Sequence, residues 1–343
     1  MSAPNSSAPN SSAPKYDVLG IGNAIVDIIA STEEDFLVRE KLVKSSMRLI
    51  DAPEAERLYD HMGPAVETSG GSAGNTIAGV ASFGGKGAFA GKVAGDELGR
   101  VYRHDMHALG VHFETAPLKG PPPTARSMIF ITPDGERTMN TYLGACVELG
   151  PEDIDPEVVA ASAVTYYEGY LWDPPRAKEA LRKASKIAHE NGRKISLTLS
   201  DQFCVDRHRA EFRGLLVDGT VDIVFANDSE LRSLYETADL DTAIAALRAD
   251  CRLAAVTLGP EGACVVTPEG IEKVPVQPVE RVVDTTGAGD LFAAGFLYGL
   301  THGMPHKISA ELGNLAAGEV ISHIGPRPAT SLRQLAQQAG IRV

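Results

Sequence analysis

The stretch DTTGAGDLFAAGFLYGL, residues 284–300, sets Gly287, Ala288 and Gly289 directly before Asp290 and then runs into an apolar helical pattern. A helix entrance stripped of side chains turns unpaired N–H groups and the positive end of the helix dipole outward, and an anion can approach closely. Asp290, in the first turn, stands where a carboxylate takes a proton from a hydroxyl. The plainer alternative is an acid that steadies its own helix by ~0.3–1 kcal/mol beside a tight glycine turn. Two features favour a site. Asp284, Thr285 and Thr286 add a second carboxylate and two hydroxyls, and the helix that follows is apolar on nearly every side, so it is buried with its N-terminus at a cleft.

A second glycine cluster, SGGSAGNTIAGVASFGG from Ser69 to Gly85, also opens a helix, with Gly70, Gly71, Ser72 and Asn75 at its mouth. It is not a Walker loop, because its lysine is out of register and lacks a hydroxyl neighbour. Nor is GIGNAIVD a dinucleotide fingerprint, since Ile25 stands where the third glycine belongs. FANDSE follows the apolar run VDIV, placing Asn227 and Glu230 at the carboxyl end of a strand, where ligands bind in open α/β sheets. That pair suits hydrated Mg²⁺ and suits a helix cap equally. Thr257, Gly259 and Gly262 in VTLGPEGA fit a phosphate contact or an ordinary turn. Arg137, after the turn PDGE, reads either as a phosphate contact or as a solvated turn residue.

Short apolar runs alternate with amphipathic stretches such as PPRAKEALRKASKIAHENG, the pattern of a doubly wound, mostly parallel sheet with helices on both faces. Within it, VHFETAPL and ARSMIFITPDGERTMNTYL read as a small β excursion. The expected organisation is a disordered tail over residues 1–14, rich in Ser, Pro and Asn, then one α/β domain over 15–343 with a discontinuous β lid from about 23–50 and 111–142. The net charge of −13 argues against nucleic acid and anionic membrane as partners. Four dispersed cysteines, no apolar run of ~18 residues and no signal sequence lead to the expectation of a cytoplasmic protein with reduced thiols.

Taken in order, DTTGAGDLFAAGFLYGL and GGSAGNTIAGVASFGGKGAFAGKVAGDELG resemble the two signatures of the ribokinase-like (PfkB-type) carbohydrate and nucleoside kinases, and the resemblance extends over about residues 15–330. It implies a three-layer fold with a β lid, ATP as phosphoryl donor and Mg²⁺, and it allows for a monovalent cation. It makes Asp290 the general base and Gly287, Ala288 and Gly289 an anion hole; Arg137 is a catalytic candidate from its place in the hairpin, where it could reach the phosphates when the lid closes. Asn227 and Glu230 fall to magnesium, and Asn227, Thr257, Gly259, Gly262, Asp284, Thr285 and Asn314 to the nucleotide.

Within the family, GIGNAIVDI, TLSDQF and YLGA resemble the adenosine kinases, which implies that Asn23 and Asp27 recognise a ribose, with Gly70, Gly71, Ser72 and Asn75 beside them. Leu49, Met139, Leu143 and Tyr170 are candidates to sandwich a purine, and each also fits a core position. Met47 and Thr198 depart from the adenosine kinase pattern at places that bear on the base rather than the sugar. The implied reaction is phosphorylation of the 5′-hydroxyl of a ribonucleoside, adenosine first, by a monomer or homodimer. A sugar kinase of the same fold is the alternative, requiring polar partners in place of Leu49, Met139 and Tyr170; a nucleotide sensor without turnover would be expected to lack Asp290.

Overall fold

The computed structural model describes residues 13–276 and 279–343, so the expected tail lies outside the described residues except for its last two. The strands among them are β1 (Tyr16–Ile21), β2 (Ile25–Ser31), β3 (Met47–Leu49), β4 (Val66–Ser69), β5 (Gly87–Ala90), β6 (Ala125–Ile131), β7 (Arg137–Tyr142), β8 (Ser162–Glu168), β9 (Lys194–Thr198), β10 (Ile223–Asn227), β11 (Leu253–Thr257), β12 (Ala263–Thr267) and β13 (Gly270–Val274). The α-helices are α1 (Glu34–Arg39), α2 (Ala52–His61), α3 (Ser72–Ser82), α4 (Glu97–Ala108), α5 (Pro156–Ala160), α6 (Pro175–Glu190), α7 (Gln202–Val217), α8 (Asp228–Leu234), α9 (Leu240–Asp250), α10 (Ala288–Thr301), α11 (His306–Val320) and α12 (Leu332–Gln338). No described helix is long and apolar enough to cross a membrane.

The larger sheet has the order β13-β12-β11-β10-β9-β8-β1-β5 and is parallel up to β11, where β12 and β13 add an antiparallel edge. Side chains alternate across its strands. Tyr167, Ile195, Val224 and Ala254 pack under α6, α7 and α9, while Val164, Tyr166, Phe225 and Ala255 pack under α3, α10 and α11. This is the three-layer, doubly wound arrangement of the ribokinase-like kinases.

A second sheet, β3-β7-β6-β2-β4, stands apart from the first. Met128 and Phe130 on one of its faces pack against Phe36, Leu37, Ala55 and Leu58 of α1 and α2. Its composition differs from the expected lid at two places. Val66–Ser69 supplies an edge strand paired with β2, whereas VHFETAPL contributes none. That segment instead follows the larger sheet, bridging Ala88 through His112 and Ala94 through Leu118, because Val111 and Phe113 are buried in the core beneath β5.

Helix α10 is apolar all round because it lies between two other helices. A Cβ at Gly79 of α3 would come within 2.6 Å of Ala294 Cβ, and one at Gly295 would run into the main chain of Leu312 on α11. Helix propensity alone gives Gly295→Ala about 1 kcal/mol of stabilisation. The backbone contact opposes it, and overpacking of this kind commonly costs ~1–3 kcal/mol. We therefore expect Gly295→Ala to lower the urea unfolding midpoint; a raised midpoint would mean that α10 and α11 are not in close contact.

Candidate active site

Asp290 lies on the first turn of α10, and both of its oxygens are held from α3. Ser72 Oγ donates to Oδ1 at 2.6 Å, Asn75 Nδ2 donates to Oδ2 at 3.0 Å, and Thr76 Oγ1 donates to the Asp290 carbonyl at 3.1 Å. The two glycine clusters of the sequence thus meet at one carboxylate. Burial pushes its pKa above the usual carboxylate range, while the donors from Ser72 and Asn75 pull it back. Gly287 caps α10 in the left-handed region at φ 80°, where a Cβ would also press on Pro326. At Gly289 a Cβ would meet nothing within 4 Å, so this position faces open space. Ala288 packs partly against the core.

Across from this turn stands Asp27 of β2, buried, its carboxylate accepting no hydrogen bond from the described residues. Desolvation pushes its pKa up to about 7 against the opposing charges of Arg327 and Arg137, and Asp290 adds to the rise. The mouth of the second glycine cluster is shaped by this neighbourhood. A Cβ on Gly70 would strike the Asp27 carboxylate, and one on Gly71, itself at φ 81°, would strike the Asn23 carbonyl. Asn23 is buried at the β1–β2 turn, with its backbone N and Nδ2 both donating to Glu168.

Arg137 is neither solvated nor confined to a turn. Its side chain is 7% exposed and Nη2 lies 2.7 Å from Asp284 Oδ2, a charge contact in which none of the guanidinium nitrogens makes an aligned hydrogen bond. Asp284 also accepts from Thr286 N at 3.1 Å and Gly325 N at 3.2 Å, so its carboxylate is engaged within the loop, while Thr285 beside it is exposed.

The register of the smaller sheet puts Asp27, Leu49, Met139 and Arg137 on one face, joined by the Ser127–Thr141 side-chain hydrogen bond at 2.8 Å. Arg137 reaching Asp284 marks it as the face turned towards α10. Leu49 is 59% exposed there, and Met47, beside Met139, is 51% exposed. Leu143 lies beyond the strand and leads into a 3-10 turn. Tyr170 belongs to the larger sheet, in the turn after β8, where its hydroxyl donates to the Ser200 carbonyl at 3.3 Å.

Of the residues assigned to the nucleotide, Asn227 and Thr257 end β10 and β11, and among the described residues no hydrogen bond joins these two to the Asp290 group. Asn227 and Thr257 are register partners. Asn227 and Glu230 form a reciprocal capping box on α8: Asn227 Oδ1 accepts from Glu230 N at 2.8 Å, and Asn227 N donates to Glu230 Oε2 at 2.9 Å. Glu230 is buried, which pushes its pKa up to about 7. The cap reading therefore holds. Metal binding would have to coexist with it. Among the described residues no cluster of three or more His, Cys, Asp or Glu could cage a cation. A Mg²⁺ that keeps its waters and takes phosphate ligands needs only one or two carboxylates; Glu230 offers one, with both of its oxygens already accepting from Asn227 N and Nδ2. Gly259 is open, whereas a Cβ at Gly262 would run into the Val274 carbonyl. Asn314 Nδ2 donates to that same carbonyl at 3.1 Å and to Pro275 O at 3.2 Å, so both residues brace the end of β13.

Two site residues escaped the sequence. Arg327 donates to Ser69 Oγ and lies 3.4 Å from Asn75 Oδ1, in the loop where Gly325 meets Asp284 and Pro326 meets Gly287. It arrives from the far end of the chain, and no spacing in GPRPAT announces it. Glu168 did carry a signal, as a charge ending the apolar strand VTYYE at the sheet's carboxyl edge.

Two solved structures closely match this chain. An adenosine kinase from Sinorhizobium meliloti is 62% identical with a TM-score of 0.89, and a probable sugar kinase from Rhizobium etli CFN 42 is 58% identical with a TM-score of 0.90; each match covers 95% of this chain and 99% of the other. An adenosine kinase from Saccharomyces cerevisiae is 28% identical over 329 residues, covering 89% of this chain and 95% of its own length. Relatives with these names are phosphotransferases, and so is this fold with its two signatures. The model of the pfkB family carbohydrate kinases matches residues 43–332, and the chain belongs to that family.

Proposed function

We propose that this kinase transfers the γ-phosphoryl group of ATP to the 5′-hydroxyl of a ribonucleoside, with adenosine as the first candidate. The observation that carries the reading is the meeting of an acceptor-only Asp27 and a partly desolvated Asp290 beside a bare helix entrance. Asp290 takes the proton of the attacking hydroxyl; a carboxylate raised above its usual range is a stronger base. Ser72 and Asn75 fix the orientation of that carboxylate. The N–H groups of Gly287, Ala288 and Gly289, at the positive end of α10, receive the phosphoryl oxygens, so catalysis is mostly positioning and electrostatics. Arg137 adds a cation from the smaller sheet, which acts as a lid. Magnesium entering with the nucleotide would be held by Glu230 and Asn227 through its water shell and would neutralise phosphate charge.

Asp27 and Asn23 accept from the two ribose hydroxyls. The exposed apolar side chains of Met47 and Leu49, on the same face as Asp27, support a ligand with an apolar ring and so favour a nucleoside over a bare sugar. The name of the Rhizobium etli relative keeps a sugar as the second reading. Four free, buried cysteines support work in a reducing cytoplasm.

The substrate class is tested by assaying purified protein with ATP against a panel of nucleosides and sugars; phosphorylation of sugars alone would overturn the nucleoside reading. Asp290→Asn should keep nucleoside affinity within a few-fold and lower kcat by roughly 10²-fold or more, the usual contribution of a general base. Near-normal turnover would remove Asp290 from the chemistry.

The pH dependence has a definite sign. Asp27 accepts hydroxyl donors at both oxygens, with charge assistance, only when ionised, and its pKa is pushed up to about 7, so kcat/KM for the nucleoside should fall as pH drops through that region. Arg327→Met removes the larger of the two cationic influences that hold this pKa down, and the acid limb should move to higher pH. A limb that stays in place would show that Asp27 does not control it.

A further inference from the structure

Glu168 ends β8 as a 1% exposed carboxylate whose hydrogen bonds all come from N–H donors. Oε1 accepts from Asn23 N at 2.9 Å and from Asn23 Nδ2 at 2.6 Å, and Oε2 accepts from Ala73 N, in the first turn of α3, at 2.9 Å. The backbone is drawn tightly against it, since a Cβ on Gly22 would strike Oε2. An ionised carboxylate only accepts, so the Asn23 amide must turn its nitrogen towards Glu168 and leave Oδ1 facing away, without a donor among the described residues. Four residues on, the Asp27 carboxylate also offers only oxygen and accepts no hydrogen bond from the described residues.

We propose that Glu168 is a positioning residue for substrate selection: by holding the Asn23 amide nitrogen it makes the Asn23–Asp27 pair an acceptor-only site that selects a vicinal diol. The inference rests on the kinase reading above but not on the identity of the base. Glu168 touches no substrate and acts through Asn23. Glutamine at this position keeps the shape but brings one amide N–H against either the Ala73 N–H or the Asn23 amide. The amide of Asn23 is then free to present its nitrogen to the substrate, where two hydroxyl donors meet a third donor.

The test is calorimetric binding to the full chain of adenosine and of 2′,3′-dideoxyadenosine, with ribose and a deoxyribose as a parallel pair. The wild type should prefer the diol by at least roughly tenfold, the worth of a hydrogen bond to a charged group. Glu168→Gln should lose about tenfold of that preference, and in an Asn23→Ala background it should lose no more than Asn23→Ala alone. Glu168→Asp, one methylene short, should show a loss in the same direction and serves if the glutamine variant does not fold. Equal weakening of diol and deoxy ligands would reduce Glu168 to a prop for α3 and overturn the proposal, as would additive losses in the double variant or a wild type indifferent to the diol. If the effect appears only with the sugar pair, Glu168 keeps its role and the nucleoside reading fails.

Discussion

The close approach of α3 to α10 is the constraint on which the site depends. Gly79 allows Ala294 and Leu291 to come near, and Thr76 bonds to the main chain of Asp290, so the first turns of the two helices are fixed side by side. Two loops more than 200 residues apart in the chain thereby share one carboxylate. A larger residue at Gly79 would separate the helices and with them Ser72 and Asn75 from Asp290. The apolar surface of α10 and the polar chemistry at its N-terminus are thus parts of one packing solution.

Four carboxylates, Asp27, Glu168, Glu230 and Asp290, are raised by burial, and the fold treats each differently. Glu168 is surrounded by N–H donors, Glu230 closes a helix cap, and Asp290 receives two side-chain donors. Asp27 alone among them has charges nearby but no hydrogen bond. A desolvated acid without a donor is unfavourable in the empty protein. A ligand that supplied the donors would relieve that imbalance, which supports the proposed substrate role of Asp27.

The parallel strands were legible because their apolar runs are short, β-branched and spaced by amphipathic helices, and β1, β8, β9, β10 and β11 lie where those runs stand. Asp290 was legible because glycines, a carboxylate and an apolar helix are adjacent in the chain. Contacts between distant segments were not. VHFETAPL has strand character, but its partners are set by the burial of Val111 and Phe113, which no local pattern reveals. At the β12–β13 edge Asn314 and the turn at Gly262 brace the Val274 carbonyl, a long-range contact that the sequence around neither residue reveals. Arg327 and Glu168 take their meaning from Ser69, Asn75, Asn23 and Ala73, all remote in sequence.

The Arg137–Asp284 contact joins two sheet systems through charges that are both almost fully withdrawn from water. Replacing Asp284 alone strands the Arg137 charge, a defect that commonly costs ~3–5 kcal/mol, comparable to much of a domain's stability, whereas Asp284 without Arg137 keeps its donors from Thr286 N and Gly325 N. Exchange of both for apolar residues of similar volume carries no such penalty. The two positions are therefore physically coupled: the state of the charge at 137 depends on the residue at 284, although 146 residues of chain separate them.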